Sequence, residues 1–105
     1  MKKFKLIFYA PKNETAKIEK AIFATGAGEL GQYSQCSFKV LGVGQFMPNE
    51  LAQPSIGQCN KLELVEEYRV EILCLEKNLH QAIQALKLAH PYEEVAYEVY
   101  PILDI

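Results

Sequence analysis

Apolar and polar residues alternate along four stretches of the chain, and this alternation predicts four strands. Near the N-terminus Phe4, Leu6 and Phe8 alternate with lysines, so Lys3–Ala10 is expected to lie with one face on a core. The same alternation recurs in three further stretches, which are Tyr33–Phe46, Lys61–Leu75 and Val95–Ile102. The phase of the third stretch slips near Val65, which predicts a bulge there.

Two stretches between these strands have the spacing of amphipathic helices. The first places Ile18 and Ile22 on one face, with Asn13 as the expected N-cap and Gly26 as the expected stop. The stripe of the second helix consists of Leu79, Ala82, Ile83 and Leu86. Its expected capping box joins Asn78 and Gln81. It should end at His90, because Pro91 disfavours helical dihedrals in the residue before it.

The order of these elements, β-α-β-β-α-β, predicts an α+β fold of the ferredoxin-like type, with both helices on one face of an antiparallel sheet. The strands of the middle hairpin are expected to exceed about ten residues each, which is longer than usual. Such arms project beyond the helices and expose apolar side chains, here Tyr33, Phe46, Leu64 and Tyr68. We therefore expect the chain to self-associate as a trimer or dimer.

Composition limits the classes of function. A length of 105 residues predicts a single domain over 1–105. The net charge of −2 argues against a nucleic-acid partner, which requires clustered cations. No apolar run has the length of a membrane span, and the N-terminal run is too short for a signal peptide. None of the three cysteines forms a CxxC pair, which makes a zinc site unlikely. Their odd number argues against a set of disulfides and favours reduced thiols in a cytoplasmic protein.

Two features with candidate chemistry also have plainer interpretations. The run Gly26–Gly31 matches GxGxxG, but it follows a helix and precedes a strand, which is the reverse of a dinucleotide-binding context. Cys36 and Cys74 alternate with core positions and are expected to be buried and inert, whereas Cys59 lies in a loop and could be exposed.

The junction after the second helix contains a histidine, a tyrosine and two adjacent glutamates within five residues. His90 with Glu93 or Glu94 has the atom types of a divalent metal site, although a full ligand set would need other segments or another subunit. In an extended chain the adjacent carboxylates would point to opposite faces and would not act on one atom together. His80 is expected to be solvated or to cap its helix. The glutamates of the third strand, Glu63, Glu66, Glu67 and Glu71, are expected to form a solvated strand face.

Three sets of residues together resemble one family. They are the C-terminal His90-Pro91-Tyr92-Glu93-Glu94 with Ala96-Tyr97 and Tyr100-Pro101, the hairpin start Gly31, Tyr33 and Cys36-Ser37-Phe38, and the set Gly42, Gly44, Phe46, Pro48, Pro54 and Ile56-Gly57. In this order and spacing they resemble the PII/CutA-like domain of the Nif-three-like (YqfO) family. The His-Pro-Tyr-Glu element is also similar to the end of the CutA divalent-cation-tolerance proteins.

The resemblance implies a domain that is usually inserted in a larger protein, occurring here on its own. The di-metal site of the larger proteins, which are often described as cyclohydrolase homologues, lies in flanking halves and is not carried over to any residue here. PII-like and CutA-like domains are typically oligomeric, with clefts between subunits for small ligands or metals.

We therefore expect an oligomeric binding or regulatory module, and the sequence favours such a module over an enzyme. The predicted ligand-binding residues are Tyr33, Cys36, His90, Tyr92, Glu93 and Glu94, and His90 and Glu93 are the candidate ligands for a divalent metal. Two alternatives remain open. One is a metal-dependent hydrolase acting on a nucleotide or pterin-like substrate, and the other is a protein-interaction subunit that docks by its hairpin.

Overall fold

The computed structural model of the chain describes residues 2–103 and 105. The elements are β1 (Lys3–Pro11), α1 (Thr15–Phe23), β2 (Phe38–Phe46), β3 (Glu63–Leu75), α2 (Glu76–Ala89) and β4 (Tyr97–Ile102). The four strands form one sheet in the order β2-β3-β1-β4, and all neighbouring pairs are antiparallel. The predicted ferredoxin-like α+β fold is confirmed. None of the helices in the described part of the chain is long and apolar enough to cross a membrane.

The core lies between one face of the sheet and the two helices. Alternate residues of the central strands face the helices because successive side chains of a strand point to opposite sides. The buried cluster contains Leu6, Phe8 and Ala10 from β1, Val70, Ile72 and Cys74 from β3, Ile18 and Ile22 from α1, and Ala82 and Leu86 from α2. The stripes predicted for both helices therefore pack as expected.

Both helices begin differently from the prediction. The N-cap residues are Glu14 and Leu75, and neither makes a side-chain capping hydrogen bond, so the expected caps at Asn13 and Asn78 are wrong. The hydroxyl of Thr15 instead donates to the carbonyl of Pro11 at 3.0 Å. The chain thus enters α1 through a buried side-chain contact with the end of β1.

The second and third strands also differ from their predicted extents. β2 begins at Phe38 rather than Tyr33, because the preceding residues form a separate turn that includes an isolated bridge between Leu30 and Tyr33. Gly28 in this turn has a φ of +83°, and a side chain there would collide with the ring of Phe23. The expected bulge near Val65 is absent, since β2 and β3 pair in one continuous register.

The middle hairpin extends the molecule, whose dimensions are 46 × 24 × 23 Å. The expectation of more than ten residues holds for β3, which has 13, but not for β2, which has 9. Exposed apolar side chains on these arms include Val43, which is 70% exposed, and Leu64, which is 59% exposed. Phe46 and Tyr68 are only half-buried rather than fully exposed. The hairpin therefore presents apolar surface as predicted, with Leu64 exposed as expected, Phe46 and Tyr68 less exposed than expected, and Val43 in addition.

Candidate functional site: a pocket at the base of the hairpin

A pocket of about 480 Å³ opens where β1 ends, between the β2–β3 connection and the α2–β4 connection. This volume lies within the usual range for small-molecule sites, roughly 300–1,000 Å³. The β2–β3 connection supplies an apolar wall that includes Met47, Pro48, Pro54 and Ile56. The α2–β4 connection supplies the opposite wall through the predicted residues Tyr92, Glu93 and Glu94.

His90 joins the end of α2 to the end of β1. The helix stops at Ala89, and His90 has extended dihedrals of −76° and 136°, as expected for a residue before Pro91. Its Nε2 lies 2.7 Å from the carbonyl oxygen of Tyr9, so this nitrogen carries the proton and donates it. Its Nδ1 accepts a hydrogen bond from the backbone N–H of Tyr92 at 3.1 Å. The residue is only 6% exposed, so His90 is a buried support beneath the pocket rather than a solvated helix stop.

Tyr92 stands between His90 and the hairpin. Its ring centroid lies 4.8 Å from that of His90 and 5.9 Å from that of Phe46. Its hydroxyl donates to Oε2 of Glu67 at 2.8 Å. Desolvation, with the hydrogen bond to Glu67 as the second cause, holds the pKa of Tyr92 well above its ordinary value. The phenol therefore stays protonated at neutral pH and donates to Glu67.

Glu67 comes from β3, where a solvated strand face was predicted, and that prediction is wrong for this residue. Its carboxylate lies across Gly44 of the neighbouring strand, and any side chain at position 44 would collide with it. Both residues line the pocket. Because Gly44 has no side chain, the Glu67 carboxylate has room to lie across it, and the hydrogen bond from the hydroxyl of Tyr92 holds the carboxylate there.

Glu93 and Glu94 both line the pocket. They lie in bends before β4 rather than in the extended strand assumed for them from the sequence. Oε1 of Glu93 accepts a hydrogen bond from the backbone N–H of Gln53 at 3.0 Å, which ties the two connections together. The pocket is therefore closed on one side by a contact between two segments distant in sequence.

Tyr9 forms the floor of the pocket at the end of β1, next to a small charged network. Its hydroxyl donates to Oε1 of Glu98 at 3.0 Å and accepts from Nη1 of Arg69 at 3.0 Å. Burial, and then the nearby Glu98 carboxylate, raise the pKa of Tyr9. Arg69 also donates through Nε to Glu71 at 3.4 Å, so this guanidinium is held on the sheet face beside the pocket.

Tyr33 and Cys36 lie elsewhere in the chain, away from the pocket. The N–H of Cys36 donates to the carbonyl of Gly28, whose own N–H donates to the carbonyl of Leu73, each at 2.8 Å. Leu73 is six residues beyond Glu67 on β3, a separation of about 20 Å at the rise of a strand. Tyr33 is 75% exposed. One subunit therefore does not bring these residues to the pocket, and Cys36 is not in the buried strand position expected for it.

The predicted metal site has no complete ligand set among the residues that the structure describes. Among residues 2–103 and 105, no three His, Cys, Asp or Glu side chains gather in a way that could hold an ion. Coordination by His90 would also require an ion to displace the N–H of Tyr92 from Nδ1. Metal binding by His90 and Glu93 stays a prediction that needs ligands from a second subunit.

Sequence reasoning missed Tyr9, Glu67 and Gly44 as pocket residues. Tyr9 ends a strand and Glu67 lies inside one, so neither carries a local signal of function. The one available signal was Gly44, since a glycine within a strand marks a close approach by another group.

The chain is similar in sequence to one part of larger bacterial proteins. A Bacillus subtilis (strain 168) protein named "GTP cyclohydrolase 1 type 2 homolog" is 42% identical over 98 residues, which are 93% of this chain and 26% of that protein. A protein of the same name from Mycobacterium leprae (strain TN) is 38% identical over 99 residues, with coverage of 94% and 26%. The chain thus spans about a quarter of the length of these relatives. No family model matches it.

Solved structures agree with this similarity. A Bacillus cereus protein related to NIF3 superposes with a TM-score of 0.84 at 37% identity, covering 98% of this chain and 26% of that one. Two more distant structures show the fold alone. CutA1 from Shewanella sp. SIB1 has a TM-score of 0.69 at 14% identity, with coverage of 97% and 82%. GlnK from B. subtilis has a TM-score of 0.59 at 18% identity, with coverage of 97% and 86%.

Proposed function

This chain belongs to the Nif-three-like (YqfO) family, of which it represents the PII/CutA-like domain, and we propose that it is a small self-associating module that binds a ligand in the pocket at the base of its hairpin. The observation that carries the proposal is the hydrogen bond between Tyr92 and Glu67 inside an apolar pocket. A polar pair held within an apolar cleft is the usual composition of a small-molecule site.

The support beneath the pocket favours binding over a merely structural cleft. His90 positions the backbone of Tyr92 through Nδ1, and Gln53 positions Glu93. The polar groups are therefore oriented before any ligand arrives, which lowers the entropic cost of binding. These contacts join the end of β1, the β2–β3 connection and the α2–β4 connection, so a bound ligand would contact both connections.

Self-association and location are parts of the same proposal. The exposed apolar side chains of the hairpin, which include Val43 and Leu64, favour a dimer or trimer. Tyr33 and Cys36 would join a binding site only through such an assembly. All three cysteines are free thiols, which favours a cytoplasmic location.

The experiment is a thermal-shift panel of divalent metals, nucleotides and small organic compounds, since a ligand that binds only the folded state raises its melting temperature. Ala96→Trp places a large ring at the pocket wall, and Gln84→Trp places the same ring on the exposed side of α2 as a matched control. We expect a stabilising compound to act on wild type and Gln84→Trp but not on Ala96→Trp. A compound that stabilises all three proteins equally would show that it binds elsewhere, and a panel with no response would contradict the proposal.

The alternative of a metal-dependent hydrolase rests on the name of the relatives, of which this chain covers 26%. We propose that this chain by itself has no such activity, because the two-metal mechanism needs several strong ligands in one place. The other alternative, a protein-interaction subunit, is supported by the same exposed hairpin that favours self-association.

A further inference from the structure

Resting on the proposed function, we propose that the pocket selects a small organic cation with a flat apolar body and rejects anions, phosphate groups included. The juxtaposition that points to this class is a fixed carboxylate, that of Glu67, set among aromatic rings and an apolar wall.

The charges that line the pocket have one sign. Its carboxylates belong to Glu67, Glu93 and Glu94, and no lysine or arginine is among the described residues that line it. The guanidinium of Arg69 is nearby but is occupied by Tyr9 and Glu71. A phosphate or carboxylate entering the pocket would therefore meet like charges without a compensating cation, which disfavours binding.

The carboxyl group of Glu67 has capacity to accept a hydrogen bond from a ligand. A carboxylate has about four lone-pair sites, and the hydroxyl of Tyr92 occupies one of those on Oε2. Because the pKa of Tyr92 is raised, this phenol remains a neutral donor and does not give up its proton to become a second anion. An ammonium group can therefore form a charge-assisted hydrogen bond to Glu67 alongside Tyr92.

The remaining surface suits the body of such a ligand. Tyr92 and Phe46 both line the pocket, with ring centroids 5.9 Å apart at an angle of 59°, and aromatic rings attract both flat rings and cations. Met47, Pro54 and Ile56 complete an apolar wall. A flat ring bearing one amine matches this lining, because the ring can contact the apolar and aromatic residues while the amine contacts Glu67.

Three compounds that share an indole ring and differ in charge provide the test. They are tryptamine, which is a cation, tryptophol, which is neutral, and indole-3-acetate, which is an anion. Calorimetric titration at low salt should show tryptamine binding about tenfold or more tighter than tryptophol, the size of one charge-assisted hydrogen bond. Indole-3-acetate should bind most weakly. The preference for tryptamine should shrink as salt is raised, because salt screens partly exposed charges.

Glu67→Gln should reduce the preference for tryptamine over tryptophol more than any other single change, since the amide oxygen still accepts from Tyr92 but the charge is gone. Glu66→Gln is the matched control, because Glu66 lies next to Glu67 on β3, is exposed and is not among the residues that line the pocket. It removes the same charge and should leave the preference intact. Glu93→Gln, on an exposed connection, should reduce the preference even if Glu67→Gln proves unstable.

Tryptophol binding as tightly as tryptamine, or indole-3-acetate binding more tightly than either, would overturn the choice of ligand class and leave the proposed binding function standing. Failure of all three indoles to bind would also overturn it. The proposed function itself would then be decided separately by the panel with Ala96→Trp.

Discussion

Replacing His90 by alanine should lower the free energy of unfolding by about 2–4 kcal/mol, because it leaves two polar partners without a hydrogen bond. The carbonyl of Tyr9 loses the Nε2–H donor at 2.7 Å, and the N–H of Tyr92 loses the Nδ1 acceptor at 3.1 Å. With His90 only 6% exposed, water has little access to replace either contact.

The magnitude follows from these two contacts. Each unsatisfied buried polar group costs roughly 1–3 kcal/mol. Because the α2–β4 connection can relax partly, the combined cost of the two groups is expected to be less than the sum of their largest values. For a domain of this size each kcal/mol corresponds to about 4–8 °C, so the melting temperature should fall by about 8–32 °C. This loss would be a large fraction of a typical total stability of about 5–15 kcal/mol.

Chemical denaturation followed by circular dichroism measures the effect, and the other histidine provides its control. His80 is exposed on α2, so His80→Ala should change stability by no more than about 0.5 kcal/mol. His90→Gln can keep a donor toward the carbonyl of Tyr9, and His90→Asn can keep an acceptor for the N–H of Tyr92. Each should recover part of the loss. If His90→Ala and His80→Ala were equally mild, the assigned role of His90 would be refuted.

The same variants test the metal prediction. Calorimetric titration of zinc, copper and manganese into wild type and His90→Gln compares binding directly, at two pH values on either side of about 6.5, the ordinary imidazole value. A metal held by His90 should bind wild type more tightly and should bind better at the higher pH, because only the neutral ring coordinates. Equal binding by both proteins would exclude His90 as a ligand.

Four further predictions concern the rest of the molecule. The raised pKa of Tyr92 stabilises the fold fully below pH ~10 and less as pH rises above it, so Tyr92→Phe should remove part of the alkaline loss of stability seen in denaturation at increasing pH. Cys59, which is exposed, should react with a thiol reagent in the native protein. Cys74, which is 1% exposed and whose thiol pKa burial raises, should react only after unfolding, and early labelling of Cys74 would contradict its placement. Light scattering at micromolar concentration should give the mass of a dimer or trimer, whereas a monomer at every dilution would remove the argument from the exposed hairpin. The purified chain should not hydrolyse GTP, and turnover that is lost on chelation and regained with metal would revive the hydrolase alternative.

Local patterns in the sequence were enough for the architecture. The alternation through Phe4, Leu6 and Phe8 and the helical stripe ending at Leu86 depend only on which residues are apolar and how they are spaced, so each predicts its element without knowledge of the partners. The order of these elements then leaves few topologies, and the observed sheet is the expected one. The resemblance to the Nif-three-like family, carried by short motifs in order, is confirmed by relatives at 36–42% identity.

Element boundaries were less predictable because they depend on contacts between elements. Asn13 and Asn78 have good capping side chains, but the helices start elsewhere because Thr15 bonds to the end of β1 and α2 follows β3 directly. The residues around Tyr33 alternate like a strand, yet they form a turn bonded to Gly28 and Leu73. Tertiary contacts outweigh a local preference worth only a few tenths of a kcal/mol to about 1 kcal/mol.

The pocket shows the same division. Tyr92, Glu93 and Glu94, which the sequence predicts as ligand-binding residues because they follow the helix stop at His90-Pro91, line the pocket, and their binding of a ligand stays a prediction. Tyr9 and Glu67 could not be found in this way, because their role arises only when the register of β1, β2 and β3 places them beside that junction. Glu67 reads as one of several surface glutamates until the sheet sets it over Gly44 and under the hydroxyl of Tyr92. The alternation of apolar and polar residues predicts which face of a strand a side chain lies on. Which residues it contacts on that face depends on the pairing of strands that are far apart in the chain.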